Sequence, residues 1–95
     1  MVKTVPFDAA KYLTEPEDQI AFLEEAFESG DPKFVAHALG IIARARGISS
    51  VAQETGLSRE ALYRSLSSEG NPTITTVMDV MRALGLKLSP HKAAA

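Results

Sequence analysis

Apolar side chains recur at helical spacing along most of the chain, and glycine or proline separates the periodic stretches. The first periodic stretch predicts a helix from Thr14 to about Ser29. Thr14 and Glu17 have the spacing of a capping box, and Gly30 is placed to end the helix. Its apolar stripe consists of Ile20, Leu23, Ala26 and Phe27.

A second helix is predicted from Asp31-Pro32 to about Arg46. Aspartate is a good N-cap, and proline fits the first helical position because its missing N–H would have no helical partner there. Gly47 ends this helix. The apolar face is broad and contains Phe34, Val35, Ala38, Leu39, Ile41, Ile42 and Ala45. A face of this width predicts a central helix that several neighbours contact.

Two short helices follow, from Ser49 or Ser50 to Thr55 and from Ser58 to about Ser67. Helices of this length are not stable alone, so both must be held by packing. They carry the spacing of a helix-turn-helix, in which a small residue lies at the crossing and glycine supplies a positive φ in the bend. The predicted packing residues are Val51, Ala52, Gly56, Leu57, Leu62 and Leu66.

The last helix is predicted to begin at an N-cap, Thr73, and to end at Gly85. Its apolar residues at helical spacing are Ile74, Val77, Met78, Met81 and Leu84. We interpret the methionine-containing part of this stripe, Val77, Met78, Met81 and Leu84, as core rather than as a partner groove. After Gly85, the alternation at residues 86–88 predicts a short strand, and residues 89–95 form a flexible tail.

The outer face of the second short helix is polar and carries Arg59, Glu60, Tyr63 and Arg64. Arginine can bond bidentately to guanine, glutamate can accept from cytosine, and tyrosine can reach a phosphate or a thymine methyl group. The set therefore indicates a helix that reads the major groove. A plainer interpretation is that Glu60 and Arg64 form an i,i+4 ion pair on a solvated helix.

Composition excludes several functional classes. With 95 residues there is room for one domain, and without cysteine there is neither a disulfide nor a thiolate metal site. His37 and His91 are the only histidines and have no ligand spacing around them, and no glycine-rich phosphate loop occurs. We therefore expect no enzymatic activity, no metal and no cofactor. No stretch has the length of a secretory signal or membrane span, so we expect a soluble cytoplasmic protein.

Charge is divided unevenly along the chain, although the formal net charge is only −2. Residues 1–31 hold two basic and eight acidic side chains, a local charge of −6, whereas residues 32–95 carry +4. The acidic part has the charge that suits a basic partner, and its candidate binding residues are Glu15, Glu17, Asp18, Glu24, Glu25 and Glu28. A solvated helix face without a partner is the alternative, and the predicted strand at 86–88 is a rival location for partner binding.

The run VAQETGLSREALYRSLSSEGNPTITTVMDVMRALGLKL resembles the helix-turn-helix of lambda-repressor/Xre-like proteins. It is most similar to the addiction-module antidote proteins, or HigA-like antitoxins. The upstream segments FDAAKYL and GDPKFVAHALGIIARARG extend this resemblance from about residue 5 to residue 88. One departure is Ser65, where such motifs often carry an apolar residue, whereas here Leu66 comes one place later.

The resemblance implies an all-α domain of five helices that dimerises, binds operator DNA in its own promoter as a repressor, and neutralises a RelE/HigB-like ribonuclease toxin. By position, the outer-face residues would meet bases, and the phosphate-facing residues would be Ser49, Ser50, Ser58, Asn71 and Thr73. The chain would then divide into an acidic partner-binding part (1–30), a DNA-binding core (31–88) and the tail. The alternatives are a stand-alone Xre-like regulator and a module that binds only protein.

Overall fold

A computed structural model describes residues 9–93 as a bundle of short helices, with no strand in that range. One turn of 3-10 helix precedes five α-helices. The elements are the 3-10 turn Ala9–Lys11, α1 (Pro16–Glu28), α2 (Pro32–Arg46), α3 (Ile48–Thr55), α4 (Arg59–Ser65) and α5 (Ile74–Ala83). The predicted all-α class with five helices is confirmed, and the arrangement fits the lambda-repressor-like one that the resemblance implies.

Three of the helices begin at the N-cap side chains that the sequence predicts. Asp31 accepts a hydrogen bond from the Lys33 N–H at 3.0 Å at the start of α2. Ser58 and Thr73 make the corresponding bonds at the starts of α4 and α5, with distances of 3.0 and 3.1 Å. Because each bond satisfies an N–H that has no partner within its helix, each fixes the residue at which the helix starts.

The predicted capping box at Thr14 is wrong. Helix α1 begins at Pro16, with Glu15 as the N-cap residue and without a side-chain capping bond. A cap at Thr14 would require helical dihedrals at Glu15, but a residue before proline is confined to extended conformations. Glu15 has φ −92° and ψ 136°, as this restriction demands.

Helix α2 is the centre of the bundle, as its broad apolar face predicts. It contacts the 3-10 turn, α1, α3 and α4. Its buried residues run almost without interruption and are Ala36, Ala38, Leu39, Gly40, Ile41, Ile42 and Ala43. Gly40 allows the end of α4 to approach α2 closely, because a Cβ at this position would collide with the carbonyl oxygen of Leu66.

Two of the predicted apolar stripes are only partly buried. On α1, Leu23 and Ala26 are buried, but Ile20 keeps 42% of its surface exposed. On α5, Met78 is 48% exposed, so the interpretation of this stripe as core is wrong at Met78, and Ile74 is 65% exposed. The buried face of α5 contains Val77, Val80, Met81 and Leu84. Helix α5 packs mainly against α3.

The predicted strand at residues 86–88 is also wrong, because a strand needs a partner and the described chain offers none. These residues instead follow a Schellman turn at the end of α5. The Leu86 N–H donates to the Met81 carbonyl at 2.8 Å and the Gly85 N–H donates to the Arg82 carbonyl at 2.9 Å. Gly85 has φ +75°, and the turn packs Leu86 back onto the core.

Candidate functional site

Helices α3 and α4 and the three residues between them lie where the sequence predicts a helix-turn-helix, and their arrangement fits that prediction. Gly56 ends α3 with φ +76°, in the left-handed region that the bend requires, and its N–H donates to the Ala52 carbonyl at 3.0 Å. All the predicted packing residues except Gly56 contribute to the core. Val51, Leu62 and Leu66 are buried, and Ala52 and Leu57 are half-buried against the same cluster.

The four predicted base-facing residues of α4, which we call the α4 outer face, all point to solvent. They are Arg59, Glu60, Tyr63 and Arg64. Glu60 and Arg64 do not form the i,i+4 ion pair that the plainer interpretation expects. The guanidinium Nη1 of Arg59 instead donates to the Ser49 Oγ at 3.4 Å, a long contact that joins α4 to the first turn of α3.

Ser65 is polar at a position where similar motifs often carry an apolar residue, and the structure accommodates it without turning the α4 outer face inward. Its hydroxyl donates to the Ala61 carbonyl at 2.8 Å, so the polar side chain is satisfied within the helix. Helix α4 ends there, and Leu66 turns inward as the C-cap residue with only 3% of its surface exposed. Leu62 and Leu66 therefore anchor α4, and Tyr63 lies outside with 49% exposure.

Four of the five predicted phosphate-facing residues lie at the starts of three helices. Ser49 and Ser50 are exposed in the first turn of α3, whose N-cap residue makes no side-chain capping bond. Ser58 accepts the α4 capping bond and retains an O–H that can donate to a phosphate. Thr73 accepts its capping bond and also donates to the Thr76 hydroxyl at 3.1 Å.

Asn71, the remaining phosphate candidate, is exposed in the loop before α5. It lines a shallow cavity of about 300 Å³ together with Pro32, Val35 and Ile74. Asn71 therefore lies beside the start of α2. Ser49 is hydrogen-bonded to Arg59 of the α4 outer face, whereas Asn71 makes no hydrogen bond to that face.

The six acidic candidates are all exposed, five on α1 and Glu15 at its N-cap. Helix α1 has no basic residue and packs mainly against α2. None of these carboxylates forms an ion pair with another residue in the range 9–93. The side of the molecule that α1 covers therefore carries negative charge without internal compensation.

A polar network that the sequence reasoning missed ties α1 to the end of α5. The Arg46 guanidinium donates through Nε to the Gln19 Oε1 at 2.9 Å and through Nη2 to the Leu84 carbonyl at 2.6 Å. Gln19 is only 4% exposed, and its Nε2 donates to the Leu13 carbonyl at 2.7 Å. One signal was present, because Gln19 has helical spacing to Leu23 and Ala26 on the buried stripe.

No group of three or more histidine, cysteine, aspartate or glutamate side chains within residues 9–93 has the proximity to hold a metal ion. No helix in that range has the length and apolar character of a membrane span.

A family model described as "Probable addiction module antidote protein" matches residues 3–92. The chain belongs to this antidote family. A relative from Haemophilus influenzae, an uncharacterized protein, is 47% identical over 87 residues, which cover 92% of this chain and 90% of that protein. The search of solved structures gave no significant match. The antidote description corresponds to the antitoxin of an addiction module, which in general has a toxin as its partner.

Proposed function

We propose that this member of the antidote family is the antitoxin of a type II toxin-antitoxin module. It binds a RelE/HigB-like ribonuclease toxin and neutralises it, and as a homodimer it represses its own operon through sequence-specific contacts with operator DNA. The observation that carries the proposal is the family match over residues 3–92. The RelE/HigB-like identity of the toxin comes from the resemblance of the sequence to HigA-like antitoxins.

The acidic helix supports the toxin-binding half of this proposal. A ribonuclease must attract phosphates and is therefore basic around its active site. The same positive potential would attract an acidic surface of a partner protein. Helix α1 offers five exposed carboxylates without an ion pair among the described residues. Toxin and antitoxin would thus associate through complementary charge.

The proposal predicts that a small basic protein, the toxin, is encoded beside the gene for this chain, and the test of neutralisation uses that protein. Expression of that protein alone should stop growth, and co-expression of this chain should restore growth. With purified proteins, RNA cleavage by the neighbour should be suppressed once this chain is equimolar with it. Cleavage that persists in an excess of this chain would remove the antitoxin assignment.

The α4 outer face supports the DNA-binding half, because two guanidinium groups, a carboxylate and a phenol project from a helix whose opposite side is anchored in the core. One copy offers few cations for phosphates, and a two-fold dimer doubles the contacts. It would place two recognition helices about 34 Å apart, which matches half-sites one helical turn apart. A palindromic operator and a dimer in sedimentation experiments are therefore expected.

DNA binding is tested by fluorescence anisotropy with the chain's own promoter fragment at several salt concentrations. Arg59→Ala with Arg64→Ala should weaken binding by about tenfold or more, because each base contact contributes roughly 1–3 kcal/mol. The matched control, Lys11→Ala with Lys33→Ala, also removes two positive charges but lies outside α3 and α4, and it should bind nearly as the wild type does.

The outcomes separate the alternatives. Equal affinity of the arginine variant and the wild type, with both folded, would favour a module that binds only protein. Normal operator binding by a chain whose gene has no toxin beside it would instead favour a stand-alone Xre-like regulator.

A further inference from the structure

A shallow groove crosses the surface between α1, the end of α5 and the segment that follows α5. Its volume is about 290 Å³. Leu23 and Met81 form a buried floor, and Phe27 and Leu86 add half-buried apolar surface. Leu88 on the rim is 38% exposed. We call this feature the α1–α5 groove.

The side of the groove formed by α1 is acidic. Glu24 and Glu28 line it, and both are exposed. They are four residues apart on one helix, a spacing at which two like charges repel each other. Neither carboxylate has an ion-pair partner within residues 9–93, whereas Lys87 and His91 line the groove from the opposite side.

We propose that the α1–α5 groove is the surface on which the toxin docks, and that its occupant is an amphipathic basic segment of the toxin. The inference rests on the antitoxin function proposed above and names the site within it. Apolar side chains of the segment would cover the floor, and lysine or arginine side chains on its edge would pair with Glu24 and Glu28.

Charge on the α1 edge favours a basic occupant. Glu24 and Glu28 repel each other across one helical turn, and lysine or arginine side chains of a bound segment would relieve that repulsion. A second copy would offer this edge only Lys87 and His91, and would bring its own two carboxylates with them. The neighbouring cavity of about 300 Å³, which shares Phe27 and Leu88 with the groove, has no charged side chain in its lining. Charge complementarity therefore favours the α1–α5 groove over the neighbouring cavity as the site for a basic segment.

The main test reverses the charge of the acidic edge. Glu24→Lys with Glu28→Lys should raise the Kd for the purified toxin encoded beside this gene by about tenfold or more. The matched control is Glu54→Lys with Glu69→Lys, which makes the same change in net charge at two exposed residues that lie outside α1 and do not line the groove. The control should raise the Kd much less.

A second variant tests the apolar part of the site. Leu88→Ser shortens an exposed side chain in a segment without helix or strand, so the fold should survive. It should weaken toxin binding by about threefold or more, because apolar area buried in the complex is lost. Binding of the wild type should weaken with added salt, and the salt dependence of the Glu24→Lys, Glu28→Lys variant should be smaller.

The outcomes are distinguishable. A wild-type chain that does not bind the toxin overturns the proposed function and this inference with it. Wild-type binding that is equally strong in the groove variants overturns the inference alone, as does an equal loss in the Glu54→Lys, Glu69→Lys control. If Leu88→Ser changes self-association in sedimentation experiments but leaves toxin binding unchanged, the occupant is a second copy and the inference is wrong.

Discussion

At the scale of single residues, Gly40 determines how closely the end of α4 approaches α2. Glycine within a helix normally destabilises it relative to alanine by about 0.5–1 kcal/mol. Here the missing Cβ makes room for the backbone at Leu66, whose side chain is 3% exposed in the core. The close contact places the last turn of α4 and therefore helps to aim its outer face.

We expect Gly40→Ala to lower the free energy of unfolding by about 2–3 kcal/mol, because the new methyl group overlaps backbone atoms that cannot move without displacing α4. Urea unfolding followed by circular dichroism measures this change. Helix propensity alone predicts the opposite sign, so a stabilised variant would show that the two helices do not approach closely at this point.

Single residues also show which features the sequence could predict. The caps at Asp31, Ser58 and Thr73 involve neighbours two or three positions along the chain, and local spacing reveals them. The exposure of Ile74 and Met78 could not be predicted in this way, because helical spacing identifies apolar residues but not the neighbouring helix that covers them. Burial is a property of the assembled bundle.

At the scale of elements, α4 and α5 each start at an N-cap residue, Ser58 and Thr73 respectively, whose type suits phosphate as well as capping. Ser58 has both proposed roles, since its oxygen accepts from the Ala61 N–H and its O–H can still donate. The two roles can be separated, because aspartate is an equally good N-cap but repels a phosphate group.

Ser58→Asp should leave the free energy of unfolding nearly unchanged and weaken operator binding by about tenfold, owing to repulsion between the carboxylate and the DNA backbone. Ser58→Ala should lower the free energy of unfolding by about 1 kcal/mol through loss of the cap. The control is Ser89→Asp, which adds the same charge outside α3 and α4. Undiminished operator binding by Ser58→Asp would place this serine away from phosphate.

The contacts of Arg46 connect three elements that lie far apart in sequence. Its partners Gln19 and Leu84 are 27 and 38 positions away, respectively. No local pattern in the sequence specifies such a partnership. Through these two hydrogen bonds, Arg46 of α2 connects α1 to the end of α5.

Arg46→Ala should lower the free energy of unfolding by about 1–3 kcal/mol, because the buried oxygen of Gln19 loses its donor. Arg82→Ala is the matched control. Arg82 forms a surface ion pair with Asp79 at 3.2 Å, and pairs of this kind contribute about 0–1 kcal/mol. Equal effects of the two substitutions in urea unfolding would mean that the Arg46 network does not stabilise the fold.

At the scale of the whole molecule, α2 supports two surfaces of different charge. Helix α1 packs against it and presents carboxylates, and α4 packs against it and presents Arg59 and Arg64. The charge division of the sequence, −6 before residue 32 and +4 after it, thus corresponds to separate elements of the fold. Our central claim is that DNA binds on α3 and α4, while α1 remains available to the toxin.

Nuclear magnetic resonance shifts of backbone amides during titration with promoter DNA test this claim most directly. We expect the amides of Ser49, Arg59, Tyr63 and Arg64 to shift strongly and those of residues 16–28 in α1 to stay nearly unchanged. Strong shifts along α1 with none on α4 would contradict the assignment of the two surfaces.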